Sequence, residues 1–340
     1  MTRFVVGNLD CEVEWAAGPA LPAAVVARLA LLATTMRVFA GDGDVLWLPA
    51  PVDDARVARD GAPRPRLAWG PLPAGELAQA WGASARFASP ATVAIARAVN
   101  DRRFAAGLAA ELGVALPGAR VITSVDELTA HLASGAAGAS PTGAWVAKAT
   151  LTAAGRDRVR RIGDRLDEPS RARLARLLAI HGALVFEPWM TRTLDVGHGG
   201  HVGPAGEVRL VAPHRGLVDG GGVVRGIVVD DGAALEPGER ETLAATASAT
   251  GRALASAGYI GPFVVDAFVH DAGGRRTLHP LCEVNARLTF GLVARAWAER
   301  RGAPLTLGLG GPPPDGAATL VTDERGAAAA WVVDTPTDQC

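Results

Sequence analysis

The sequence predicts a mixed α/β and α+β chain, a small open α/β domain followed by helix-and-hairpin subdomains. Three observations predict it. Up to about residue 95, short apolar runs alternate with helical stretches, the pattern of an open α/β sheet. Beyond that point, paired extended runs surround glycine-bearing turns and are separated by long helical stretches. The chain has 340 residues, 49% of them apolar and 20% charged, enough for two or three packed lobes.

The elements follow in order. Phe4-Val5-Val6 reads as a strand and Pro22 to Met36 as a helix with proline near its first turn. Val45-Leu46-Trp47-Leu48 and Leu67-Ala68-Trp69 read as further strands, and Gly75 to Trp81 and Ala91 to Val99 as helices. Asn100-Asp101 is a helix N-cap before Arg102 to Leu112, and Gly113 ends that helix. Ala119 to Thr123 is extended, and Ser124 with Glu127 makes a capping box for the next helix. Ala144 to Ala149 is a strand carrying Lys148, followed by a loop rich in Gly and Arg and a helix from Pro169 to Ile180. Leu184-Val185-Phe186 leads into Glu187-Pro188, and Val196 to Val202 forms a hairpin with Val208 to Pro213. A long helix runs from Glu236 or Pro237 to about Ala257, closed by Gly258. Two strands, Gly261 to His270 and Thr277 to Asn285, precede a helix from about Gly291 to Arg300. The domains expected are residues 1–95, 96–185, 186–310 and a Pro- and Gly-rich tail, 311–340, whose two apolar runs find no place.

Composition narrows the function. Net charge is −1, from 34 basic and 35 acidic residues, so no global field favours nucleic acid or an anionic membrane. Cys11, Cys282 and Cys340 have neither metal spacing nor a disulfide pattern, which suits a cytoplasmic location. The N-terminus is too short in apolar residues for a signal peptide, and Leu21 to Met36 carries Arg28, as a packed helix would. Lysine is nearly absent, so Lys148 stands out.

The segment Cys282-Glu283-Val284-Asn285-Ala286-Arg287 carries the strongest chemical signal. Glu283 and Asn285 alternate onto one strand face, and Arg287 joins them if the strand stays extended. A carboxylate and an amide oxygen are hard ligands suited to Mg²⁺ shared with nucleotide phosphates, and a guanidinium clamps phosphate oxygens. Asp266, across the hairpin, faces the same site, although an exposed polar hairpin face would read alike. Lys148 ends an apolar strand before a loop of small residues, where backbone N–H groups can approach phosphates. Gly155 and Arg156 lie in that loop. Of the five arginines from Arg156 to Arg165, Arg160, Arg161 and Arg165 read as a solvated face. Trp189 and Met190, after Glu187, could sandwich a flat ring, and Asp195 could accept bonds from ribose hydroxyls. His198 and His201 fall on opposite sides of a strand, poor geometry for zinc.

The order of these signals resembles the ATP-grasp superfamily. Lys148 and its loop, Glu187, Asp266, and then Glu283-x-Asn285-x-Arg287 follow its layout over residues 95 to 300, as in D-alanine–D-alanine ligases, biotin carboxylases and amino-acid ligases. The first domain resembles the α/β domain that precedes the grasp in its ligases. The resemblance implies ATP held between two α+β subdomains. Lys148 would contact its phosphates under the loop bearing Gly155 and Arg156. Glu187, Trp189 and Met190 would form the adenine hinge, with backbone groups of Trp189 and Met190 reading the ring edge. Asp195 would hold the ribose, Asp266, Glu283 and Asn285 magnesium (or Mn²⁺), and Arg287 the γ-phosphate. Many members carry a lysine where this chain has Arg102, which would take its place. The implied activity is an ATP-dependent ligase joining a small-molecule carboxylate to an amine through an acyl phosphate, in a monomer or homodimer. A kinase of the superfamily, a biotin-type carboxylase and a non-catalytic nucleotide-binding module are the alternatives.

Overall fold

Phe4, Val5 and Val6 are buried on both faces, as the middle of a parallel sheet requires. The computed structural model describes residues 2–16, 19–58, 63–152, 157–220 and 222–335. Strand β1 (Arg3–Val6) lies between β2 (Val45–Trp47) and β4 (Glu76–Ala80), with β3 (Arg66–Ala68) beyond β2, all parallel. Helix α1 (Cys11–Trp15) follows β1, and α2 (Ala23–Ala33) continues into a 3₁₀ turn, Thr34–Phe39. Gly75 to Trp81, expected to be helical, is therefore a strand. Pairing with β1 overrides its composition, and only glycine fits at 75, where φ is +153° and a Cβ would lie 2.1 Å from the Thr2 carbonyl oxygen.

Helices α3 (Pro90–Asn100) and α4 (Arg102–Glu111) lead into a four-stranded antiparallel sheet. Its order is β5 (Arg120–Ile122), β8 (Leu184–Pro188), β6 (Ala144–Ala149), β7 (Arg158–Ile162). Helices α5 (Val125–Ala133) and α6 (Glu168–His181) cover one face, around Ile122, Leu128, Trp145, Leu177 and Phe186. Lys148, Val185 and Glu187 alternate onto the other face. Ser124 caps α5, but Glu127 accepts from the Thr123 N–H at 2.8 Å instead of completing a reciprocal box. Residues 158–162, expected as loop, pair with β6 because Val159 turns into the core between outward arginines. Arg161, expected to be solvated, donates to Ser170 at 2.5 Å.

The third sheet has nine antiparallel strands. Its main path is β14 (Arg276–Asn285), β13 (Gly261–Asp271), β9 (Arg192–Val202), β11 (His214–Val218), β12 (Val224–Val229), β15 (Leu305–Leu309), β17 (Ala328–Asp334), β16 (Ala318–Thr322). Strand β10 (Val208–Leu210) pairs with β9. Helices α7 (Pro237–Ser256) and α8 (Phe290–Arg301) pack on it. The expected tail is corrected here: its two apolar runs are β16 and β17. Leu320, Val321, Ala330 and Val332 share one core with Val5, Leu46 and Trp297, and Val57 bridges to Val321. Among the described residues no helix is long and apolar enough to cross a membrane.

Helix α8 meets the sheet through glycines. The buried His214 ring sits between Gly197 and Gly291, where added Cβ atoms would lie 2.4 and 2.1 Å from its Nε2. Burial pushes the pKa of this imidazole down to about 3. Clamped on both sides, the ring cannot swing away. Gly291→Ala should cost about 3 kcal/mol by overpacking, read as a lowered denaturant midpoint at unchanged m.

Candidate active site

The four-stranded sheet turns Lys148 and Glu187 toward α4 and β14. The Lys148 ammonium donates to Glu187 Oε2 at 2.5 Å, and its Nζ lies 4.0 Å from the Cys282 sulfur. Burial opposes the lysine's charge, but Cys282 and Glu187 outweigh it and its pKa is raised. Burial likewise opposes the Glu187 carboxylate, and attraction to Lys148 leaves its pKa lowered. The two shifts agree on an ion pair, charged on both sides. Beside it opens a cavity of about 310 Å³, lined among others by Arg102, Leu116, Val121, Val185, Glu187 and Cys282. The lining is mostly apolar, with Arg102, Arg103, Arg120 and Glu187 as its charged members.

Arg102 is one of the arginines that line this cavity. It donates to the Ala149 carbonyl at 2.7 Å, to Thr152 Oγ1 at 3.0 Å and to Glu283 Oε1 at 2.9 Å. It thus ties the strand bearing Lys148, and the loop after it, to β14. Gly155 and Arg156 of that loop lie outside the described residues.

The segment after Glu187 differs from expectation. The Trp189 N–H donates to the Ala144 carbonyl at 2.8 Å, and the Trp189 carbonyl accepts from Ser140 at 2.7 Å. Both backbone groups of Trp189 are taken, because the chain stays beside β6 through this residue. Its ring face carries the Arg160 guanidinium at 4.2 Å, so Arg160 is not simply solvated. Met190 turns instead into a small apolar cluster with Leu116 and Phe268. The two side chains do not bracket one slot. Asp195 accepts from Arg192 at 2.8 Å, and Arg192 lies over Phe268 at 4.1 Å.

The hairpin of β13 and β14 gathers the acidic group. Glu283 is directly opposite Asp266, and Asn285 lies two residues along on the same face. Asn285 Nδ2 donates to Asp266 Oδ2 at 2.8 Å. Burial, with the Glu283 charge second, pushes the Asp266 carboxyl up to about 7. Among the described residues no three His, Cys, Asp or Glu side chains form a metal cluster. A cation here would draw on two carboxylates and an amide oxygen. That donor set is hard and anionic, and the mutual repulsion of Asp266 and Glu283 is what a divalent cation relieves, so the residues fit Mg²⁺.

Arg287 completes the row. Its Nη2 donates to Asn285 Oδ1 at 2.9 Å, and its Nε and Nη2 donate to Glu12 Oε1 at 2.9 and 2.6 Å. Glu12 belongs to α1 of the first domain, 275 residues away in sequence. Sequence reasoning missed Glu12, Arg192 and the position of Cys282 in the cleft. Nothing local in the sequence announces Glu12. Cys282 and Arg192 sit next to recognised motifs and were within reach.

No family model and no curated protein matches this sequence. Solved structures do match in fold. The biotin carboxylase domain of Hydrogenobacter thermophilus 2-oxoglutarate carboxylase, with MgADP, ADP and bicarbonate, is 10% identical; the match covers 98% of this chain and 86% of that one, at a TM-score of 0.58. N5-carboxyaminoimidazole synthetase from Staphylococcus aureus, complexed with ADP, is 10% identical, with 99% and 94% covered and a TM-score of 0.55. Phosphoribosylamine–glycine ligase from Thermotoga maritima is 13% identical, with 98% and 90% covered and a TM-score of 0.53.

Proposed function

From the ATP-grasp fold of this chain, we propose that it is an ATP-dependent ligase that activates a small carboxylate as an acyl phosphate and joins it to an amine. The observation that carries this reading is the row Asp266, Glu283 and Asn285 on one sheet, with Arg287 just past the end of β14, beside Lys148 of the other sheet. A nucleotide lying in the cavity between would have its base near Glu187 and Met190 and its phosphates toward Lys148 and Arg102. Since Trp189 has spent its backbone groups, and the backbone of Glu187 pairs with Val146 of β6, the Met190 N–H would read the base edge, with Asp195 near the ribose. The loop with Gly155 and Arg156, outside the described residues, would cover the phosphates.

Asp266, Glu283 and Asn285 would hold Mg²⁺, or Mn²⁺, which when bound neutralises phosphate oxygens. The protein's own part is positioning and charge. Lys148 exchanges Glu187 for phosphate oxygens and stays protonated, because their negative charge takes the place of the carboxylate that raises its pKa in the structure. Arg287 presents a fixed guanidinium to the γ-phosphoryl and later to the phosphate that leaves. Closure of the cleft keeps water from the acyl phosphate. The reading includes a cytoplasmic enzyme and a homodimer, the biotin carboxylase domain being a dimer in its crystal.

Its test is ADP release with carboxylates and amines offered singly and in pairs. Bicarbonate belongs among the carboxylates, since the carboxylase complex contains it. ADP release should require a pair, or rise at least about tenfold with the second member, because an acyl phosphate in a closed site stalls turnover. A stable phosphoester formed without amine would make the chain a kinase. No turnover with any pair would leave a nucleotide-binding module.

A further inference from the structure

An aliphatic amine arrives at such a ligase as an ammonium and must lose a proton before attack. We infer that Glu12 is the group that receives it; this rests on the ligase reading. Glu12 lies just beyond the carboxyl end of β1, where parallel sheets present their ligand-binding loops. It reaches the far end of the metal row, on the side away from Lys148 and the nucleotide cavity. Both Arg287 bonds go to one oxygen, Oε1. No donor among the described residues reaches Oε2, although only 14% of the side chain is exposed. A carboxylate with one oxygen held and the other open is aimed, and its open atom is an acceptor that suits an ammonium. Its neighbour Glu14 is different: Ser84 and the Ala85 N–H bond both its oxygens at 2.7 Å, which makes it a domain fastener. Trp81, with Phe290 at 5.0 Å, carries the Arg287 guanidinium over its ring at 5.7 Å and so helps to hold the arginine that aims Glu12.

The step balances. The ammonium gives one proton to the Glu12 carboxylate. The amine lone pair attacks the acyl carbon, the C–N bond forms, and the C–O bond to phosphate breaks. Phosphate leaves with that electron pair, held by Arg287, and takes the second proton from nitrogen. Glu12 returns its proton to solvent.

Hydroxylamine separates this role from mere support of Arg287. It is uncharged at neutral pH, so it attacks an acyl phosphate without ammonium recognition. In Glu12→Gln an amide oxygen still accepts from Arg287, and circular dichroism checks the fold. With the carboxylate and amine returned by the ADP-release screen, amide formation should fall roughly 10- to 100-fold, as for a lost charge-assisted bond, with KM for the amine raised. Hydroxamate formation and KM for ATP should stay within about twofold. Glu12→Asp should recover part of the amide activity. If hydroxamate and amide fall together, Glu12 only holds Arg287 and the inference is wrong; if neither falls, it is wrong as well. Both results leave the ligase reading intact. A screen in which no pair releases ADP removes the ligase reading, and this inference with it.

Discussion

Glu283→Gln and Asn285→Ala are each expected to lower ATP turnover by roughly 10²- to 10³-fold or more, the size of effect seen when one preorganised charge-stabilising group is lost. Glu283 supplies one of only two carboxylates in the row, and its replacement removes charge while keeping shape. It also takes the charge from the 2.9 Å Arg102 bond, which an amide oxygen can still accept, so both the proposed metal site and the α4 contact are weakened. Asn285→Ala keeps the carboxylates but takes away the amide that orients Asp266 and Arg287 together. Neither residue belongs to the packed core, so circular dichroism spectra should match wild type. Direct titration with Mn²⁺, followed by its paramagnetic effect on water, gives a readout independent of turnover. Near-wild-type ADP release in both variants would refute the metal assignment.

Lys148→Ala should raise KM for ATP and lower kcat, together by roughly 10²-fold or more in kcat/KM, because a phosphate-neutralising charge is lost in ground and transition states alike. A second effect has to be separated from it. The side chains of Lys148 and Glu187 are 15% and 14% exposed, so deleting the lysine strands a largely buried carboxylate. That should cost about 3 kcal/mol of stability. Lys148→Ala with Glu187→Gln should recover stability and leave ATP use impaired. Unchanged kinetics in the single variant would reduce Lys148 to half of a structural ion pair.

What the sequence allowed to be read follows a physical line. Period-two and period-3.6 patterns are local, and they located β6, α6, α7, β13, β14 and α8 within a residue or two. The residues that alternate on β14 were legible for the same reason. Gly75 to Trp81 was misread because its conformation is set by β1 and by the crowding at Gly75, which no local pattern records. The last strands were unplaced because they are short and are recruited by a sheet that begins more than a hundred residues earlier. The pairing of each cation in the cleft was also hidden. Glu12 with Arg287 and Arg102 with Glu283 are meetings of distant segments. For Trp189 the residue type suggested stacking, and only the backbone bonds reveal that it is already occupied.

The sharing of cores decides which part of the molecule is free to travel. The first α/β domain, α8 and the closing strands β15, β16 and β17 pack around common side chains. To separate them would expose that core, a cost of many buried side chains. The four-stranded sheet with α5 and α6 has a core to itself. It meets the rest mainly through α4, Arg102 and the short segment after β8. Any movement between parts is therefore expected in this lobe, hinged at residues 112–119 and 188–191, while the first α/β domain and the nine-stranded sheet stay together. Hydrogen exchange on nucleotide addition should change in that lobe and at those hinges, and leave β1, β2 and β17 as slow as before.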